Sequence, residues 1–287
     1  MSKTPQIIVA KSAGFCPGVR KAIDKAMALT VAQKKPVYTL GPLIHNTQAI
    51  EMLARENILS VDSPEQAADK HGVLVIRAHG ITPQLQHQIE SCEMTIVDAT
   101  CPLVKHAQNL IAKFAEQGYH TVIVGDKAHA EVIGLMGYAQ DRVNVVSDLE
   151  EAHALPHFDK VHVVSQTTQP EDVFYDIAEE VKKHADFCQI SNTICQPTKD
   201  RQKETIEQAK NADLVIVVGG KHSANTTRLA QLCQGLTQHV QHVETAEELN
   251  PDLIKAANKI FITAGASTPS WVIADVENRV RTITQTY

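Results

Sequence analysis

The sequence predicts an α/β fold of three small, similar domains with parallel-type sheets set about a pseudo-threefold axis, and three observations predict it. Cys16, Cys101 and Cys195 each follow a short apolar run and open a helix-length stretch: Cys16-Pro-Gly-Val-Arg-Lys, Cys101-Pro-Leu-Val-Lys-His and Cys195-Gln-Pro-Thr-Lys-Asp. The next apolar run begins 21, 20 and 19 residues beyond the three cysteines. A further run follows in each unit, at 73–76, 161–164 and 260–263. Short apolar runs at helix-length intervals are the pattern of βαβ units, whose strands pair in parallel.

Taken in order, strands are expected at 6–10, 37–40 and 73–76, then at 95–98, 121–124 and 161–164, then at 187–190, 214–218 and 260–263. Each cysteine falls in the turn between the first strand of its unit and the helix that follows. Helix starts are expected at Thr82-Pro83, Thr168-Gln-Pro-Glu171 and Thr268-Pro269, where capping hydroxyls precede residues suited to a first turn. The domains are expected over 17–98, 99–192 and 193–287, with the N-terminal strand, 1–16, joining the third. In a parallel sheet the loops beyond the carboxyl ends of the strands meet the helix N-termini and carry function. Domains turning those edges inward would bring the three cysteines together.

Composition limits the function. A chain of 287 residues, 43% hydrophobic and 4% aromatic, has room for two or three compact cores. No run approaches the roughly 18 apolar residues of a membrane helix, and the N-terminus lacks the apolar content of a secretory segment. The expectation is a cytoplasmic protein without a membrane partner. Lys+Arg 27 against Asp+Glu 33, net charge -6, with no long basic run, argues against nucleic acid. Six cysteines without a secretion signal read as reduced thiols, some of them ligands.

The six sort by position. Cys233 shares a helical face with Leu229, Leu232 and Leu236 and reads as a core thiol. Cys188, in a strand, and Cys92, after a helix, read as structural. Cys16, Cys101 and Cys195 recur at equivalent turns and read as metal ligands. Zinc bound by these thiolates and a histidine is one choice, although structural zinc sites draw on closely spaced pairs and no Cys-x-x-Cys is present. An iron–sulfur cubane is the other. Three cysteines would leave one iron without a protein thiolate, able to act as a Lewis acid while the cluster supplies electrons.

The loops between the cysteines are rich in donors: Gly41-Pro-Leu-Ile-His45-Asn46, Arg77-Ala-His79-Gly80, Gly125-Asp-Lys-Ala-His129-Ala-Glu131, Ser165-Gln-Thr-Thr168, Gly219-Gly-Lys-His-Ser223-Ala-Asn225 and Ala264-Gly-Ala-Ser267-Thr-Pro269. Helix capping accounts for some of the hydroxyls and amides, but it does not call for His45, His79 and His129. Imidazoles, hydroxyls, an asparagine amide and helix N-terminal amides suit phosphate or diphosphate. Glu131 stands out beside an anion. Burial raises a carboxyl's pKa toward the range of a proton donor, and that is the role assigned to it. Thr168 is suited to orient the donor or a leaving hydroxyl, with Gln166 in support. No Gly-x-Gly-x-x-Gly follows the first strand and Gly219-Gly-Lys-His-Ser lacks Walker A spacing, so electrons are expected from a separate reduced protein.

This ordered series resembles the LytB family of 4-hydroxy-3-methylbut-2-enyl diphosphate reductases, the last enzymes of the methylerythritol phosphate route to isoprenoids. The resemblance covers essentially the whole chain and includes Gly14-Phe-Cys16-Pro-Gly-Val-Arg20, Asp98-Ala-Thr-Cys101-Pro102 and Asn192-Thr-Ile-Cys195 besides the loops above. It implies a trefoil around a central [4Fe-4S] cluster, one per chain, held by Cys16, Cys101 and Cys195 with one iron not ligated by cysteine. It implies removal of the C4 hydroxyl of (E)-4-hydroxy-3-methylbut-2-enyl diphosphate with two electrons and protons, giving isopentenyl and dimethylallyl diphosphates. His45, His79, Ser223, Asn225, Ser267 and the backbone of Ala224 would hold the diphosphate. Glu131 would donate a proton, with His129 aiding binding and proton delivery and Thr168 positioning the hydroxyl.

Ala224 stands where many members carry a second serine, and His222 replaces a frequent asparagine. Losing one hydroxyl donor costs about 0.5–1.5 kcal/mol of binding if nothing substitutes for it. The partner implied is a reduced ferredoxin or flavodoxin type donor. The chain is expected to work as a monomer, with a weak dimer as the alternative. A non-redox cluster dehydratase and a zinc-stabilised binding protein are the rival readings.

Overall fold

The structure, a computed structural model, describes residues 5–33, 36–68, 72–91 and 94–285. Strands β1 (Gln6–Val9), β2 (Val37–Leu40), β3 (Ile58–Val61), β4 (Val73–Ile76), β5 (Thr95–Asp98) and β6 (His120–Val124) are followed by β7 (Val143–Val146), β8 (Phe158–Ser165), β9 (Ala185–Ser191), β10 (Leu214–Val218), β11 (Val240–Val243) and β12 (Lys259–Ala264). Between them run helices α1 (Pro17–Gln33), α2 (Thr47–Arg55), α3 (Pro64–Ala68), α4 (Pro83–Glu90), α5 (Pro102–Glu116), α6 (Ala130–Met136), α7 (Leu149–His153), α8 (Glu171–Lys182), α9 (Gln196–Ala209), α10 (Ala224–Gln234), α11 (Pro251–Ala256) and α12 (Ser270–Gln285).

The strands form three four-stranded sheets, ordered β3-β2-β4-β5, β7-β6-β8-β9 and β11-β10-β12-β1, with every pairing parallel. One order is therefore used three times. In each sheet the chain steps outward from the second strand to an edge strand, then crosses back to the far side. The point of reversal lies between β2 and β4, between β6 and β8, and between β10 and β12, the place where open parallel sheets generally receive ligands.

The strand preceding each cysteine pairs with the third strand of the preceding repeat: β5 with β4, β9 with β8, and β1 with β12. The spatial repeat is thus offset by one strand from the sequence repeat. All nine apolar runs are strands. Edge strands β3, β7 and β11 were not expected from the sequence, because Ser60, Asn144 and the pair Gln241 and His242 interrupt their apolar character. Solvated edges tolerate such residues, so the strands lack an unbroken apolar run.

Alternation along the central strands feeds two layers. In β10, Leu214, Ile216 and Val218 pack with Val272, Val276 and Val280 of α12, while Val215 and Val217 pack with Leu229 and Cys233 of α10. In the sheet centred on β6, Val122 and Val124 meet Phe174 and Ile177 of α8, and Ile123 meets Ile111 and Leu135 on the other face. Each fully buried aliphatic side chain stabilises by about 1.5–3 kcal/mol, and the two-sided burial explains why these strands read as continuous apolar runs.

The chain divides into two compact units. One comprises Met1–Val19, Ile44–Met52 and Gln196–Tyr287 and carries the sheet of β1 and β10–β12. The other comprises Arg20–Leu43 and Leu53–Cys195 and carries the other two sheets. Among the described residues no helix is long and apolar enough to cross a membrane.

Of the three expected helix starts, Thr82 caps α4, accepting the Leu85 N–H at 3.2 Å. The others differ. The cap position of α8 is Pro170, and the Thr268 hydroxyl bonds the Val218 carbonyl at 3.0 Å instead of capping α12. In both places the helix begins one residue beyond the proline, at Glu171 and Ser270.

Candidate active site

The carboxyl edge of each sheet offers the same three positions. The second strand is followed directly by Gly41, Gly125 or Gly219, and four residues on stand His45, His129 and Ser223. Those glycine N–H groups bond the ends of the edge strands, at Val61, Val146 and Val243, over 2.8–2.9 Å. At Gly219, with φ +137, a Cβ would lie 2.3 Å from the Thr268 hydroxyl, so only glycine fits the turn. Three residues beyond the third strand stand His79, Thr168 and Ser267. The fourth strand leads to Cys101, Cys195 and Cys16.

Cysteine and loop are joined by one recurring bond. The N–H of Cys101 donates to Ala78 O at 3.0 Å, that of Cys195 to Thr167 O at 3.0 Å, and that of Cys16 to Ala266 O at 3.1 Å. Each acceptor immediately precedes His79, Thr168 or Ser267. The repeat therefore fixes each thiol's backbone beside a residue assigned to substrate.

The unit holding β2–β9 brings together His79, Cys101, His129, Glu131, Thr168 and Cys195. His129 caps α6, its Nδ1 accepting the Glu131 N–H at 3.2 Å. With Nδ1 an acceptor, the neutral ring carries its proton on Nε2, which is then a donor for an anion. The His79 ring meets His129 edge to face at 5.5 Å. The end of α6 packs tightly beside this pair: a Cβ on Gly137 would lie 2.7 Å from Thr82 Cβ.

Glu131 is 3% exposed, and Thr167 holds both of its oxygens. The Thr167 N–H donates to Oε1 at 2.6 Å and its hydroxyl to Oε2 at 2.8 Å. Sequence reasoning singled out Thr168, which is half-buried, and gave Thr167 no role. The threonine pair after β8 was the available signal, but nothing in the sequence says which member faces α6. Gln166, fully buried, accepts the Asp126 N–H at 3.1 Å and so braces the loop after β6. Arg77 also had no role assigned. Its half-buried guanidinium lies over Gly41, and burial lowers its pKa.

The other unit brings together Cys16, His45, Ser223, Ala224, Asn225 and Ser267. Ser267 Oγ donates to His45 O at 3.2 Å, and a Cβ on Gly220 would sit 3.2 Å from the same oxygen. Ser223 precedes α10 but its hydroxyl makes no capping bond, and Ala224 is the first residue of the helix. Asn225 Nδ2 is buried without a hydrogen-bond partner among the described residues. A buried donor in that state calls for an acceptor.

The turn before Cys16 is cross-braced. Lys11 and Ser12 N–H groups donate to the Glu204 carboxylate at 2.8 and 2.9 Å. Arg201, 3% exposed, donates to Ala264 O and, at 2.9 Å, to Gly14 O. Cys16 Sγ accepts the Val19 N–H at 3.4 Å, at the start of α1.

The remaining thiols are different. Cys233 is fully buried, and burial pushes its thiol up to about 12. Burial likewise raises that of Cys188, on β9. Cys92 lies outside the described residues. Cys16, Cys101 and Cys195 are half-buried, and each immediately precedes a helix, α1, α5 or α9.

The family model described as LytB protein matches residues 7–281. A protein of Caldanaerobacter subterraneus subsp. tengcongensis named 4-hydroxy-3-methylbut-2-enyl diphosphate reductase is 40% identical over 280 residues, spanning 97% of each chain. One of the same name from Geobacter metallireducens is 40% identical over 279 residues, spanning 97% of this chain and 98% of its own. The solved (E)-1-hydroxy-2-methyl-but-2-enyl-4-diphosphate reductase of Plasmodium falciparum matches with a TM-score of 0.90 at 27% identity, over 96% of this chain and 87% of that one. A solved (E)-4-hydroxy-3-methyl-but-2-enyl diphosphate reductase, described as the terminal enzyme of the non-mevalonate pathway, matches with a TM-score of 0.70 at 36% identity, over 97% and 99%. On the length and ordering of these matches, the chain belongs to the LytB family.

Proposed function

We propose that this chain is a 4-hydroxy-3-methylbut-2-enyl diphosphate reductase, an oxidoreductase of the methylerythritol phosphate pathway. It removes the C4 hydroxyl of the (E)-alcohol diphosphate with two electrons and protons, giving isopentenyl and dimethylallyl diphosphates. The relatives' names support the reaction. The observation that carries it in this chain is the buried Glu131 carboxylate held at both oxygens by Thr167, whose carbonyl accepts the Cys195 N–H.

The thiols fit an iron–sulfur cluster. The donor set is all sulfur, each member is half-buried at a helix start, and each backbone is anchored to a neighbouring loop. Cys16, Cys101 and Cys195 would hold a [4Fe-4S] cluster, one per chain. When bound, the cluster supplies electrons one at a time and Lewis acidity at an iron without a cysteine ligand.

The chain's own residues bind, orient and protonate. Ser223, Asn225, Ser267, His45 and the backbone of Ala224 hold the diphosphate, supported by the buried Asn225 Nδ2, which has no hydrogen-bond partner among the described residues, and by the Ser223 hydroxyl, which makes no capping bond to α10. His79 and the Nε2–H of His129 add donors. His129 also ties the anion to the acid, since its Nδ1 accepts the Glu131 N–H. Glu131 delivers the proton to the departing hydroxyl, with Thr167 fixing the carboxylate and Thr168 positioning the hydroxyl. Burial keeps water from competing for that proton.

The reading carries further proposals: domains over 17–98, 99–192 and 193–287 with 1–16 joined to the third, a trefoil arrangement, and a reduced ferredoxin or flavodoxin type donor. It also carries a monomeric state and a cytoplasmic location. The sheet pairings support the domain limits.

The test is an anaerobic incubation with (E)-4-hydroxy-3-methylbut-2-enyl diphosphate, with and without dithionite. Both product diphosphates are expected only with reductant. Turnover without it would favour a dehydratase and reject the reductase reading.

A further inference from the structure

We propose that His153, Glu180 and His184 form a binding site for a divalent transition-metal ion of the zinc class, apart from the thiols and from the acid. His153 is the last residue of α7, Glu180 lies in the last turn of α8, and His184 follows that helix four residues after Glu180. The i,i+4 spacing puts Glu180 and His184 on one side of the helix end, and α7 supplies the third ligand across from them.

The geometry is close to what such an ion requires. Ligands about 2.0–2.1 Å from a tetrahedral ion stand roughly 3.3–3.5 Å from one another. His153 Nδ1 lies 3.1 Å from Glu180 Oε1, His184 Nε2 lies 3.8 Å from the same oxygen, and all three ligand atoms fall within 4.8 Å of one another. Both imidazoles thus converge on one carboxylate oxygen. The other, Oε2, is held by Lys183 Nζ at 2.6 Å, which fixes the carboxylate and leaves Oε1 toward the histidines.

The backbone beneath is set. The His184 N–H donates to Val181 O at 3.0 Å and its carbonyl accepts the Phe158 N–H at 2.8 Å. α7 is capped by Asp148, which accepts the Glu151 N–H at 2.9 Å, and is anchored by the buried Ala152. Small side-chain adjustments of the exposed His153 ring and the half-buried His184 ring complete the site. Three imidazole and carboxylate ligands suit zinc better than calcium or magnesium. They leave a fourth position for water or for a ligand from another molecule, and the bound ion pins α7 to the end of α8.

The experiment is equilibrium dialysis of the anaerobically purified cluster-containing protein against low-micromolar zinc, followed by elemental analysis of zinc and iron. Wild type is compared with His153→Ala, His184→Ala, their double variant and Lys183→Gln. One more zinc per chain is expected in wild type than in the double variant, with iron unchanged. Each single alanine variant is expected to weaken binding by more than about ten-fold. Lys183→Gln removes the adjacent cation and is expected to bind more tightly. Zinc is also expected to raise the thermal midpoint of wild type and not that of the double variant. Equal zinc in wild type and double variant, or zinc taken up at the expense of iron in both, would overturn the proposal.

Discussion

Cys195 and Glu131 are joined through a single residue: the Cys195 N–H donates to Thr167 O at 3.0 Å, and the Thr167 N–H and hydroxyl hold the Glu131 carboxylate at 2.6 and 2.8 Å. A backbone position of a candidate ligand and the orientation of the candidate acid are thereby set by one threonine. Any shift of the loop after β8 moves both.

Substitution at this link should separate chemistry from assembly. Glu131→Gln keeps the shape but loses the ionisable group, and reductant-dependent turnover is expected to fall by about 10²–10⁴ with iron content unchanged. Thr167→Val removes the hydroxyl and keeps the N–H. A hydrogen bond to a charged group is worth about 1.5–3 kcal/mol, so a smaller loss of roughly 10–100-fold is expected. Steady-state rates beside iron per chain check both. Near-normal turnover of Glu131→Gln would remove it as the essential acid.

The end of α6 packs tightly beside the pair of His79 and His129. In Gly137→Ala the new methyl meets Thr82 Cβ at 2.7 Å and Pro83 Cδ at 3.0 Å. Overpacking of this kind costs about 1–3 kcal/mol. A lower urea midpoint and a higher KM for the diphosphate are expected together. An unchanged KM in a destabilised variant would mean that the contact does not govern binding.

His162 makes stability depend on pH. It is fully buried, its Nε2 is 2.9 Å from Ser191 Oγ and its ring stacks on Phe114 at 4.0 Å. Burial lowers its pKa from 6.5 to about 4. Between those values the unfolded chain binds the proton and the folded chain does not, so stability is present above pH 6.5 and is lost as pH falls toward 4. Two to three pKa units correspond to about 3 kcal/mol. Urea midpoints at pH 7 and 4.5 are expected to differ less in His162→Gln than in wild type, and equal differences would assign the acid sensitivity to other groups.

Much of this was legible before any coordinates. The inner strands β2, β4, β6, β8, β10 and β12 announced themselves because they are buried on both faces and read as apolar runs, and the more exposed β1, β5 and β9 were found by the short apolar runs that precede the cysteines. The cysteine turns and donor loops followed from their position after those strands. Edge strands β3, β7 and β11 escaped, because one side of each is solvated and polar residues enter. Thr167 escaped for another reason. Adjacent threonines look alike in sequence, and only the packing of α6 against the loop after β8 decides which one meets Glu131. The Cys-to-loop hydrogen bonds were also hidden, since they depend on the strand before each cysteine pairing with the previous repeat.

The most direct test of the thiol assignment is iron and acid-labile sulfide per chain after anaerobic purification of wild type, Cys16→Ser, Cys101→Ser, Cys195→Ser and Cys233→Ser. About four irons and four sulfides are expected in wild type and in Cys233→Ser, with marked loss in the other three. Zinc without sulfide in wild type, or loss confined to Cys233→Ser, would contradict the account.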